Sequence, residues 1–216
     1  MAGGYGQVQI AKLAPVPAWI HGIVVPTPEP ELGGVQLWEG GPYWAECNVG
    51  ATKPEEYGYY FWWGDTVGYK RSGGTWRYNY SWNGVTWVSS SGTRMGSSPF
   101  DRDACPTTWK RVSELKALGY IDATGNLVAK HDAATAHLGA PWRMPTDAEI
   151  AALASNCTTT WTTRNGVYGA YWSSTPHSGG SGHAWCLSFT ADLFLRDNEC
   201  GRYDGQSVRP VRGFAK

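Results

Sequence analysis

The chain has 216 residues, with 18 Lys plus Arg balanced by 18 Asp plus Glu, a length that suits one domain of good size plus a tail. It holds no basic run, so nucleic acid is not an expected partner, and no segment has the apolar length of a bilayer span. Only 17% of residues are charged, against 13 Trp, 12 Tyr and 28 Gly, a composition for short strands and long loops packed by large rings.

Residues 1–34 read as a Pro-rich N-terminal extension or linker. Pro15, Pro17, Pro26, Pro28 and Pro30 forbid long helix and favour extended chain. The run Trp19 to Val25 can add an edge strand or dock on a neighbour, and Pro28 to Gly34 has linker composition. The segment lacks the charged start and continuous apolar stretch of a signal peptide.

Compact structure is expected from Val35 onward. Trp44 to Ala51 predicts a strand and turn, and the aromatic run Tyr57 to Trp63 a buried strand. Trp76, Tyr78, Tyr80 and Trp82 alternate with period two, which places four rings on one strand face, and Asn83-Gly84 signals a hairpin. Trp109, Val112, Leu115 and Leu118 have helical spacing over 107–118, ended by Gly119. A turn at 122–126 is followed by a short helix over Asp132 to Leu138, stopped by Gly139 and Pro141. Thr146-Asp147-Ala148-Glu149 is a capping box, after which Ile150, Leu153 and Ala154 are expected to face the core. Beyond Cys157 the pattern is strand and loop, with turns at Asn165-Gly166 and Gly179-Gly180. Strands are expected near 168–173, 184–190 and 207–211.

The chemistry-bearing residues point away from catalysis. Cys47, Cys105, Cys157, Cys186 and Cys200 are too few and too scattered for a disulfide scaffold, and no C-x-x-C suggests structural zinc. Their odd number leaves at least one thiol free; Cys186 and Cys200 lie in one segment, either as a pair or as separate thiols. His131 and His137 are six residues apart and would sit on different faces of a helix, which suits solvated or capping roles. His177 and His183 flank a Gly/Ser loop, without metal-ligand spacing. Asp101 with Asp103, or Asp192 with Asp197 and Asn198, offers oxygens for calcium. No nucleophile elbow, Walker or Rossmann fingerprint is present. The expectation is a protein without enzymatic activity or a required cofactor.

Six motifs in order carry a family resemblance. They are Trp44-Ala45-x-Cys47-Asn48-Val49-Gly50-Ala51 with Pro54 to Thr66, then Asp132-Ala133-Ala134, Trp142-Arg143-Met144-Pro145-Thr146, Trp161-Thr162-Thr163-x-Asn165-Gly166, Tyr171-Trp172-Ser173-Ser174-Thr175 and Ser207-Val208-Arg209-Pro210-Val211. Over residues 35–212 the chain resembles the Fibrobacter succinogenes major paralogous domain, common in gut Bacteroidetes. The resemblance implies an α+β, C-type-lectin-like fold with two short helices, twisted antiparallel strands and long loops, forming a ligand-binding domain over 35–216. The paired sugar motif of calcium-dependent lectins is absent. Formylglycine-generating enzymes have a related fold and need a cysteine pair, for which Cys186 and Cys200 are the nearby candidates, but the surrounding motifs belong to the other family.

Some members of that family are variable proteins of diversity-generating retroelements, in which a C-terminal segment is rewritten at template adenines. The resemblance places such a segment at about 177–205. It implies a ligand-binding surface of His183, Trp185, Cys186, Ser188, Thr190, Asp192, Phe194, Asp197, Asn198, Cys200, Tyr203 and Asp204, with Trp185, Phe194 and Tyr203 as anchors. Read as strand, Cys186, Ser188, Thr190, Asp192 and Phe194 share one face, while Leu187 and Phe189 point to the core. Side chains on such a surface can change while the scaffold stays. The implied role is receptor binding or adhesion to a protein or glycan on a target surface, from a phage virion or bacterial cell surface. The alternative is a non-diversified structural protein of an envelope or virion with the same fold, and the oligomeric state is open.

Overall fold

A computed structural model describes residues 33–72, 75–82, 87–95, 98–156, 169–179, 182–189 and 194–213. The expectations for residues 1–32, Asn83-Gly84, Trp161 to Gly166, Gly180, Thr190 and Asp192 lie outside the described residues.

The described chain is a mixed α+β fold. Its strands are β1 (Val35–Gln36), β2 (Tyr43–Trp44), β3 (Tyr60–Phe61), β4 (Tyr69–Ser72), β5 (Thr75–Trp82), β6 (Trp87–Met95), β7 (Gly169–Pro176), β8 (His183–Phe189), β9 (Phe194–Gly201), β10 (Gln206–Ser207) and β11 (Val211–Arg212). Its helices are α1 (Val112–Ala117), α2 (Ala133–Leu138) and α3 (Asp147–Asn156), with a 3-10 turn at Ala129–His131. The larger sheet has the order β6-β5-β4-β3-β10-β7-β8-β9, and a small sheet joins β1, β2 and β11. β10 is its keystone: Ser207 pairs antiparallel with Tyr60 of β3 and parallel with Tyr171 of β7. The C-terminal motif thereby joins the aromatic run near residue 60 to the Tyr171-Trp172 motif.

The aromatic run alternates as a strand should: Tyr59, Phe61 and Trp63 are buried, Tyr60 and Trp62 half-buried. Its ladder is short because glycines with positive φ, Gly58 at 70° and Gly64 at 78°, turn the chain on either side. A Cβ at Gly58 would stand 2.2 Å from the Val49 carbonyl oxygen, so that turn depends on glycine. Two indoles then cross-link the sheet. Trp63 Nε1 donates to Ser173 O at 2.9 Å, and Trp172 Nε1 donates to Phe61 O at 2.8 Å. These bonds satisfy two N–H groups buried in the main core cluster, which also holds Leu115, Met144, Ala184 and Val208.

The helices depart from expectation in three places. α1 begins at Val112, not in the 107–111 stretch, because Arg111 N–H donates to Glu114 Oε2 at 2.8 Å and starts the helix there. Leu115 alone of α1 is fully buried, while Trp109 and Leu118 are exposed. α2 is capped by Asp132, which accepts from Thr135 N at 2.9 Å, and is ended by Gly139 at φ 76°. The capping box of α3 is present: Thr146 Oγ1 accepts from Glu149 N, and Glu149 Oε2 accepts from Thr146 N. Ile150 and Leu153 are buried as expected, but Ala154 is exposed. Three helices, not two, lie among the described residues. No helix there is long and apolar enough to cross a membrane.

Candidate ligand-binding surface

β8 lies between β7 and β9, with Trp172 opposite Cys186 on one side and Ala184 opposite Cys200 on the other. A central strand flanked on both edges is covered on both faces wherever other elements pack against it. Ala184 and Cys186 enter the main core, while Leu187 joins Trp44, Ile150, Leu153 and Val211 in a second cluster.

This double coverage corrects part of the expected surface. Cys186 is 1% exposed and Ser188 is fully buried, so the face expected to be displayed turns inward. Leu187 is buried as well, under α3, so residues 186–188 of β8 offer no side chain to solvent. Cys200 is also buried, and Cys186 and Cys200 form a disulfide with Cα atoms 6.0 Å apart. The pair is diagonal in the ladder, because Cys186 stands opposite Asn198, two residues from Cys200. Periodicity fails for a second reason: 186–194 is not one strand, since β8 ends at Phe189 and β9 begins at Phe194. Phe194, Asp197 and Asn198 fall on the backbone of β9.

Four expected residues do come together at the opposite end of the hairpin. His183 and Trp185 of β8, with Tyr203 and Asp204 in the turn after β9, are all half-buried. His183 stands opposite Gly201. The Tyr203 ring lies over Gly201, where a Cβ would meet it at 2.6 Å. Asp204 N–H donates to Gly201 O at 2.8 Å. Burial pushes the Asp204 carboxyl above its ordinary range, opposed by a Gly201 backbone bond and by the nearby His183. His177 completes the group: its N–H donates to His183 O at 3.1 Å, and its ring meets Trp185 edge-on at 4.4 Å. In the sequence His177 is legible only as a loop-flanking histidine without metal-ligand spacing; its position beside Trp185 follows from the pairing of β7 with β8.

His131 and His137 are structural pins. His131 Nδ1 lies 3.2 Å from Gly64 O with its ring stacked on Tyr120 at 4.0 Å, and His137 Nε2 lies 2.9 Å from Thr66 O. Asp101 Oδ1 accepts from Asp103 N and Ala104 N, as a turn carboxylate does. A cleft of about 490 Å³, lined by Glu55, Glu56, Tyr57, Gly58, Tyr60, Lys70 and Arg71, opens elsewhere along the sheet, beside β3 and β4. Among the described residues no group of three or more His, Cys, Asp or Glu side chains could hold a metal ion.

Compared with protein-family models, curated proteins and solved structures, the chain matches none.

Proposed function

We propose that this chain is a non-enzymatic, C-type-lectin-like ligand-binding domain whose displayed surface is centred on His183, Trp185, Tyr203 and Asp204. We propose further that it is a variable protein of a diversity-generating retroelement, acting as a receptor-binding or adhesin protein on a phage or bacterial surface. The observation that carries the reading is the β8–β9 hairpin itself. A disulfide and a doubly covered strand hold its backbone, while a cluster of half-exposed aromatic, imidazole and carboxylate groups sits at its His183–Gly201 end. Trp and Tyr rings on a rigid support suit protein or glycan recognition, because they add contact area at little entropic cost.

Sequencing the gene across a natural population tests the proposal. The expected result is substitution concentrated at adenine-rich codons between His183 and Asp204, sparing Cys186, Ser188 and Cys200, beside an unchanged Trp142 to Thr175 scaffold. Substitutions spread evenly along the gene would sink the diversification reading and leave a fixed ligand surface.

A further inference from the structure

Arg202 follows β9 and is fully buried. Its Nη1 donates to Thr107 O at 3.0 Å and to Lys110 O at 2.7 Å, and its guanidinium carbon stands 5.0 Å from the centroid of the Trp63 ring. Its backbone is fixed as well: Arg202 N–H donates to Gly182 O, and Arg202 O accepts from Trp63 N–H and the Cys105 thiol. The side chain is therefore held in one orientation. Nε and Nη2, however, have no hydrogen-bond partner. These two nitrogens share one edge of the guanidinium and present parallel N–H groups. A third buried group without a partner, Thr108 Oγ1, belongs to the residue after the Thr107 carbonyl. Thr108 lies against Gly182, the same glycine that accepts from the Arg202 amide.

Among the described residues no carboxylate pairs with this charge. The ion pairs among the described residues are Arg102–Asp103 and Arg143–Glu149. Burial lowers the Arg202 pKa to about 10, which still leaves the group charged at neutral pH. A buried cation lacking both a counter-ion and part of its hydrogen bonding is costly, and a partner on the free edge removes both deficits at once.

We infer that the Nε/Nη2 edge of Arg202, with the Thr108 hydroxyl, is a binding site for a small carboxylate-type oxyanion. The edge matches two oxygens on one carbon, as in bidentate arginine–carboxylate pairs. Because Arg202 is fully buried, only a ligand of a few atoms, such as formate or bicarbonate, suits this edge. Residues 107–110, which supply the Nη1 acceptors and Thr108, form turns with no regular element. The site is separate from the His183–Asp204 surface and does not depend on its proposed role.

The test is thermal unfolding of the full chain, dialysed into chloride buffer and titrated at constant ionic strength with sodium formate, sodium bicarbonate or sodium chloride. The expected result is a Tm that rises and saturates with formate or bicarbonate, stays flat with chloride, and loses the response in Arg202→Lys, which keeps the charge without the fork. No response, an equal response to chloride, or a response that survives Arg202→Lys overturns the site. Should Arg202→Lys not fold, Thr108→Val decides. Loss of one hydrogen bond raises the half-saturating concentration about tenfold, and an unchanged value overturns the proposal.

Discussion

Arg209 Nε donates to Asn48 Oδ1 at 2.7 Å, joining two motifs from opposite ends of the chain. The same guanidinium donates to the carbonyls of Ala45, Glu46 and Pro54. Asn48 in turn gives its amide N–H groups to the carbonyls of Glu56 and Tyr57. Residues 45–57 have little regular structure, so these two side chains take the part a β-ladder would otherwise play. Arg209→Met keeps much of the volume but takes the donor from the buried Asn48 amide oxygen and from three partly buried carbonyls. It should cost about 3 kcal/mol or more, read from the urea midpoint by circular dichroism. A loss below about 1 kcal/mol would show that the loop is held by other contacts.

The Cys186–Cys200 disulfide closes a loop with a sequence separation of 14 residues. Constraining a loop of that length in the unfolded chain contributes about 3 kcal/mol. The double replacement Cys186→Ala with Cys200→Ala should lower unfolding free energy by about that amount. Reductant should shift the wild-type denaturation midpoint and leave the double variant unmoved. Equal sensitivity of both proteins to reductant would place the effect elsewhere.

His137 is packed against Tyr59 and Phe61, and burial pushes its imidazole below the ordinary value of 6.5, opposed by the bond to Thr66. His131 is lowered by burial and by Lys130, opposed by the bond to Gly64. The folded pKa of each is depressed relative to the unfolded chain. Their contribution to stability is therefore complete above the unfolded pKa of 6.5 and is lost as pH falls through the lower folded values. Tm should fall between pH 7.5 and pH 5.5. His137→Gln, which retains a donor for the Thr66 carbonyl, should flatten that slope, and a slope identical to wild type would remove His137 from the explanation.

Local signals were legible in the sequence where local chemistry decides the structure. The Thr146/Glu149 box and the Gly139 and Gly119 stops act within a few residues, and each is present. The aromatic run 57–63 reads as a buried strand, and the structure buries its alternate members Tyr59, Phe61 and Trp63. What could not be read were consequences of sheet order. Period two around Cys186 and Ser188 says which residues share a face but not which face meets solvent, and β8 has β7 and β9 on its edges and α3 packed against it. The helix expected from residue 107 starts only at Val112, and Trp109 lies in the turn before it, exposed, with Arg102 stacked against its ring at 5.3 Å, a contact that spacing cannot foretell. No local pattern around Arg202 marks it as buried. Its burial follows from the meeting of β9 with residues 105–110.

The split between inward and outward positions in the hairpin gives the last expectation. Ser188 is fully buried, so Ser188→Arg forces a charge into a packed site and should destabilise the domain by several kcal/mol or abolish soluble expression. His183 and Asp204 are half-buried at the open end. His183→Arg and Asp204→Asn should each change stability by no more than about 1 kcal/mol. Parallel Tm measurements on the three variants check this. Equal tolerance at all three positions would mean that Ser188 reaches solvent and that the displayed surface extends along β8. Equal intolerance would mean that the His183–Asp204 cluster is part of the core and cannot serve as a changeable binding face.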